Sequence, residues 1–220
     1  MNIWLILAFI FASLEALAVW KNQRRLEFIA KPGVMICLFL WLHASTGLQD
    51  HSLWFGIGIL FSLAGDIFLL WPNRMFLFGL IAFLFAHISY IIGFKDIIVT
   101  ASAWSLILIV IIMVSATRVI RRIASAMRAK EENRLVNPVI LYASVISVML
   151  YAAMLTISEP TWKTSAALFV STGAFLFYIS DLILAWNKFV SPIEHGRLYN
   201  IVTYHLGQIG LIAGIISQFR

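Results

Sequence analysis

The chain has 220 residues, of which 62% are hydrophobic and only 12% are charged, and its mean hydropathy is +0.95. That much apolar surface exceeds what a soluble domain of this size can bury, which leaves an integral membrane protein. The net charge of +6 comes from residues lying between apolar stretches, not from a basic face on a soluble module, so nucleic acid is excluded as the partner. The single cysteine, Cys37, cannot form an internal disulfide. No Cys/His group has zinc-ligand spacing, and neither a metal nor another cofactor is expected.

About 20 apolar residues cross the hydrocarbon core as a helix. That ruler predicts an all-α, polytopic protein with eight transmembrane helices in one membrane domain. The first span, 2–20, contains Ala16-Leu17-Ala18, which looks like a signal-peptidase site. The basic residues Lys21, Arg24 and Arg25 follow the apolar run instead of preceding it, so the segment reads as a retained helix. The second span, 31–48, opens at Lys31-Pro32, where a missing N–H costs nothing. The third, 53–71, carries Gly65-Asp66 and is ended by Pro72; the fourth, 75–94, carries His87 and Tyr90. The fifth is 99–117. A basic and partly amphipathic connection over 118–136 follows, read either as a segment lying along anionic headgroups or as a solvated topology determinant. The sixth, 137–157, opens at Asn137-Pro138 with Tyr142 one turn in. The seventh, 164–187, holds Ser180-Asp181 and Trp186, and the eighth, 197–218, holds Tyr204, His205 and Gln208.

Charge sets the expected orientation. Of the 16 Lys and Arg, all but Lys95, Lys163 and Arg220 fall in or beside the connections after spans 1, 3, 5 and 7. The positive-inside bias then puts those connections in the cytoplasm and both termini on the other side. Compact connections point to a bacterial inner membrane. Features also recur four spans apart. Lys31-Pro32 is echoed by Asn137-Pro138, Gly65-Asp66 with Trp71 by Ser180-Asp181 with Trp186, and His87 and Tyr90 by Tyr204 and Gln208. The pattern reads as a 4+4 parallel pseudo-repeat, against chance likeness among apolar helices.

Each intramembrane Asp costs on the order of 2.5–3.5 kcal/mol at mid-helix, and spanning a membrane does not require it. At 1.5 Å per residue, Asp66 and Asp181 both fall roughly 8–9 Å from the cytoplasmic end of their spans. Glu15, Lys31, Tyr142, Tyr204, His205 and Gln208 come to the same half, with His87 and Tyr90 deeper. The arrangement reads as a polar chamber open to the cytoplasmic leaflet with aromatic and apolar walls, a shape suited to an amphiphile. Bland readings stand beside it: Asp66 and Asp181 as structural ion-pair members, the tyrosines and Gln208 as interhelical hydrogen-bond glue, Lys31 as an interfacial side chain. His205 points to another face of its helix than Tyr204 and Gln208.

Taken in this order and spacing, several pieces carry a resemblance: Lys31-Pro32, Gly65 to Leu69, Gly79 to Tyr90, Gly173 to Asp181, and Tyr204 with Gln208. The chain resembles the lysoplasmalogenase family, the YhhN-like eight-helix membrane proteins, over residues 31–208. Some bacterial relatives have Asn at the second acidic position, whereas here the pair is complete. The resemblance implies hydrolysis of the vinyl ether bond of lysoplasmalogens, giving a fatty aldehyde and glycerophosphoethanolamine or glycerophosphocholine. A vinyl ether is hydrolysed by protonation of its β-carbon, which leaves an oxocarbenium ion. A carboxyl group buried beside another carboxylate favours the neutral acid that this step needs. A second carboxylate stabilises the cation and orients or deprotonates water, as in glycoside hydrolysis. On this reading Asp66 and Asp181 are catalytic, with Asp181 favoured as the acid because Lys31 is a counter-ion available to Asp66. Lys31, His87, Tyr90, Tyr142, Tyr204 and Gln208 then position substrate and water. The partners implied are a lysophospholipid substrate and the surrounding membrane lipids. Three rivals use the same features: a transporter, a lipid-binding scaffold in which both Asp tolerate Asn, and an intramembrane aspartyl protease. The protease lacks its Gly-x-Gly-Asp and Pro-Ala-Leu signatures here, and the transporter lacks a Gly/Pro break within a span.

Overall fold

The computed structural model describes residues 2–94 and 102–220. Within them are eight helices long and apolar enough to cross a membrane, and no strand. The protein is an integral, multi-pass membrane protein with an all-α fold, as expected. In chain order the helices are α1 Ile3–Trp20, α2 Arg24–Thr46, α3 His51–Leu69, α4 Pro72–Gly93, α5 Ala103–Ala129, α6 Asn133–Leu155, α7 Thr164–Ala185 and α8 Gly196–Phe219. Lys95 and the first residues of the expected span 99–117 lie outside the described residues.

Three boundaries differ from the sequence reading. First, α2 begins at Arg24, so Pro32 is inside the helix and Lys31 lies two turns from its start. The preceding residues are good helix formers, and Glu27 in the first turn complements the helix dipole. Second, α6 begins at Asn133, which again puts Pro138 inside a helix. Third, 118–136 is not a connection. Residues 118–129 continue α5 to Ala129, leaving three residues before α6. The stretch has no Gly or Pro, and its apolar stripe of Ile123, Ala124 and Met127 is buried against Phe76, Val136, Val139 and Phe189. At 27 residues α5 is about 40 Å long, longer than the roughly 30 Å hydrocarbon core. α7 passes at Trp186–Val190 into a π-helical turn, which carries Lys188 and Phe189.

The polar groups are positioned by close packing around α8, the most buried helix; α5 is peripheral, with Leu106, Ile107, Val110 and Met113 exposed. α7 and α8 meet backbone to backbone. A methyl group at Gly173 would sit 2.4 Å from the Leu211 nitrogen, and one at Gly207 would sit 2.7 Å from the Phe177 nitrogen. Small residues of this kind hold membrane helices together where no hydrophobic force acts between them. The glycine beside Asp66 has a related task, because a Cβ at Gly65 would fall 2.6 Å from the Phe83 ring of α4. The connections α1–α2, α3–α4, α5–α6 and α7–α8 share the basic end of the bundle. Arg197 joins Glu27 there at 2.7 Å, and Lys130 donates to the Val190 carbonyl at 3.3 Å.

Candidate active site

Asp181, on α7, is the centre of one hydrogen-bonded group. The Tyr142 hydroxyl, from α6, donates to its Oδ2. His87 Nε2, from α4, lies 3.0 Å from the same hydroxyl and 3.5 Å from Oδ2. With the tyrosine hydrogen given to Asp181, the tyrosine oxygen is left to accept from His87 Nε2, and His87 Nδ1 is buried with no partner among the described residues. Both contacts engage Oδ2, leaving Oδ1 as the oxygen available to a ligand.

Asp66, on α3, is the centre of a second group. Lys31 Nζ from α2 lies 3.3 Å from Oδ1, and the Tyr204 hydroxyl from α8 donates to Oδ2 at 2.8 Å. Asp66 is fully buried; its Oδ2 takes the Tyr204 hydrogen bond, and its Oδ1 meets Lys31 as an ion pair with no hydrogen bond among the described residues. One turn away, the Tyr90 hydroxyl donates to Gln208 Oε1 at 2.9 Å, and Gln208 Nε2 donates to Ser62 Oγ at 3.0 Å. All eight residues expected at the site therefore fall into two groups, four helices apart in the chain. Aromatic rings join them: Phe177 lies 4.7 Å from the His87 ring and 5.3 Å from the Tyr204 ring, centroid to centroid.

Two cavities adjoin these groups and share Leu69, Phe76 and Leu184 in their walls. The first is apolar, with Leu80, Phe83, Val139 and Ile146 around it, and Asp181 with Tyr142 forms its polar spot. Its volume of about 60 Å³ gives room for a few water-sized groups. The second, of about 340 Å³, is charged and lies at the basic end, lined among others by Glu15, Arg24, Glu27, Lys31, Lys188 and Arg197. Among the described residues no three His, Cys, Asp or Glu side chains converge as metal ligands.

Two features were not visible in the sequence. Glu15 of α1 and His205 of α8 form a buried pair at 2.5 Å. They are 190 positions apart, and only the rotation of both helices brings them together. Glu27 and Arg197 are 170 positions apart, and nothing in their spacing marks them as partners.

The sequence model of the YhhN family matches residues 26–215. Among curated proteins, lysoplasmalogenase TMEM86B of Mus musculus is 31% identical over 189 residues, covering 86% of this chain and 74% of the relative. Human lysoplasmalogenase TMEM86A is 28% identical over 187 residues, covering 81% of this chain and 72% of the relative. A lysoplasmalogenase homolog of Dictyostelium discoideum is 24% identical over 249 residues, covering 96% and 81%. No solved structure matches the chain. The match runs from α2 to α8 and takes in both carboxylates with every hydrogen-bond partner described for them: this chain belongs to the YhhN family.

Proposed function

We propose that this protein is a lysoplasmalogenase, hydrolysing the vinyl ether bond of lysoplasmenyl lipids to a fatty aldehyde and a glycerophospho-alcohol. The names of its relatives support the activity. The observation that carries it is a carboxyl group, Asp181, on the wall of an otherwise apolar cavity adjoining a charged one. An amphiphile with its headgroup in the charged cavity brings the bond next to its glycerol to the shared wall of Leu69, Phe76 and Leu184. The small apolar cavity takes the reacting segment, and the chain runs on into the bilayer.

Asp181 gives its proton to the β-carbon of the enol ether, and the C=C pair forms the new C–H bond. The positive charge left behind is shared between the former α-carbon and the ether oxygen. Water adds to that carbon and loses a proton to the carboxylate, which regenerates the acid. The hemiacetal then collapses to aldehyde and alcohol, so one water is consumed and no redox change occurs. Tyr142 and His87 hold Oδ2 and leave Oδ1 to make the transfer. Asp66, ion-paired with Lys31 and bonded by Tyr204, suits the member that stays a carboxylate and stabilises the cation across the aromatic layer, where water is excluded. Tyr90, Gln208 and Tyr204 fix the helices that carry these groups, and Lys31 sits between Asp66 and the headgroup cavity.

Aldehyde release from a lysoplasmenyl lipid and from its saturated 1-alkyl analogue tests the reading. Release from the first only is expected, with loss on Asp181→Asn or Asp66→Asn. Full cleavage by both Asn variants, or equal cleavage of the alkyl lipid, sinks it. For orientation, the charge bias supports a cytoplasmic basic end with both termini outside, and the compact connections support a bacterial inner membrane. A C-terminal alkaline phosphatase fusion is then active and a fluorescent-protein fusion at the same position is dark; the reverse pair of signals inverts the topology.

A further inference from the structure

The charged cavity at the basic end holds more charge than a phosphate needs. Arg24, Lys188 and Arg197 supply cations around it, and Lys188 Nζ is held 4.6 Å over the Phe76 ring. A lone phosphate site has no use for acids, yet Glu15 and Glu27 line the same cavity. Each carboxylate is paired through Oε2 only: Glu27 with Arg197 at 2.7 Å and Glu15 with His205 at 2.5 Å. The other oxygen of each, Oε1, is buried with no hydrogen-bond partner among the described residues. Glu27 is 6% exposed and Glu15 is fully buried. A buried carboxylate oxygen without a donor is costly, and the cost is removed by whatever brings an N–H to it.

We infer that this cavity is a subsite for a zwitterionic phosphoethanolamine headgroup, with its phosphate on Arg24 and Lys188 and its primary ammonium on the free Oε1 of Glu27 and, deeper, of Glu15. The inference rests on the lysophospholipid reading above and adds a headgroup preference to it. A primary ammonium carries three N–H donors to offer such oxygens. A trimethylammonium carries none and leaves them bare. Quaternary ammonium groups are recognised by open aromatic faces. Here the face of Phe76 is covered by Lys188. The subsite therefore discriminates against choline.

Binding separates this inference from the catalytic one. The full chain in detergent is titrated calorimetrically with 1-alkyl lysophosphoethanolamine and 1-alkyl lysophosphocholine, which have no vinyl ether to cleave. The ethanolamine lipid is expected to bind about ten-fold more tightly or better, the value of a hydrogen bond to a charged group. Glu27→Gln is expected to bring the two affinities together by weakening the ethanolamine lipid, whereas Arg24→Gln weakens both alike. Equal affinities in the native chain overturn the inference without recourse to any variant. So does an unchanged ratio in a folded Glu27→Gln protein. Absence of aldehyde release from lysoplasmenyl lipids, with the ratio intact, overturns the catalytic reading and leaves the subsite standing.

Discussion

Tyr142 and Tyr204 each donate to a carboxylate, yet their removal is expected to differ in effect. Tyr142→Phe takes the donor from Asp181 and the acceptor from His87, so Oδ2 keeps only the longer 3.5 Å contact with His87. Aldehyde release should fall about ten- to hundred-fold in kcat, with KM little changed. Tyr204→Phe leaves Asp66 its Lys31 partner and should cost less. Initial rates for the two variants decide the order, and the reverse ranking would move the acid to Asp66. The Glu15–His205 pair makes a different prediction, about stability. His205→Leu leaves a buried carboxylate unpaired and should destabilise by about 3–5 kcal/mol, while Glu15→Leu with His205→Leu should recover most of that. Thermal unfolding in detergent reads both. At this scale the carboxylates were legible in the sequence, since a charge in an apolar run stands out wherever it falls. Lys31 as a counter-ion was legible too, because both residues come to the same half of the membrane. The His205 partner was not, because depth along a helix is read from position but the direction a side chain takes needs the neighbouring helices.

Helices were legible as apolar runs, and their ends were not. Pro32 and Pro138 read as helix starts, but each lies inside a helix whose first turns are polar and were counted as connection. The same error hid Glu27, which gains its role only once α2 is extended back to Arg24. The basic run 118–129 misled in the opposite sense: its charge suggested a loop, while its stripe of Ile123 and Met127 had a burial surface waiting on α4, α6 and the π turn. What no hydropathy window contains is how closely two spans approach. The α7–α8 seam sets that distance and with it the placement of Asp181 relative to Tyr204. Gly173→Ala would press a methyl group onto backbone atoms of α8, which cannot rotate away, and should lower stability by at least the 1–3 kcal/mol typical of overpacking. Gly65→Ala meets only the side chain of Phe83 and should cost less. Melting temperatures of the two variants in one detergent test the contrast; equal losses would mean that the seam yields as easily as a ring.

Across the whole molecule, the partners of the two carboxylates form a pattern. Asp66 on α3 is served by α2 and α8, and Asp181 on α7 is served by α6 and α4. Exchanging α1–α4 for α5–α8 maps one set of helices onto the other. Each carboxylate thus takes one partner from the helix preceding it and one from the last helix of the other half. That exchange supports the proposed parallel 4+4 repeat, and it means that neither half contains a complete acidic group. Ser62, Tyr90 and Gln208 tie the halves once more. The pattern predicts how the chain behaves when divided. Fragments 1–97 and 98–220, expressed together, should copurify and release aldehyde from a lysoplasmenyl lipid, because every site contact is between helices and none needs the covalent link. Expressed singly, each should release none: the first lacks Tyr204 for Asp66, and the second lacks His87 for Asp181. Lys31 would then remain paired in the first fragment while its Asp66 loses a donor, so that fragment should insert but melt earlier than the pair. Activity from one fragment alone would show that its carboxylate works without the other half, and the interleaved site would have to be abandoned.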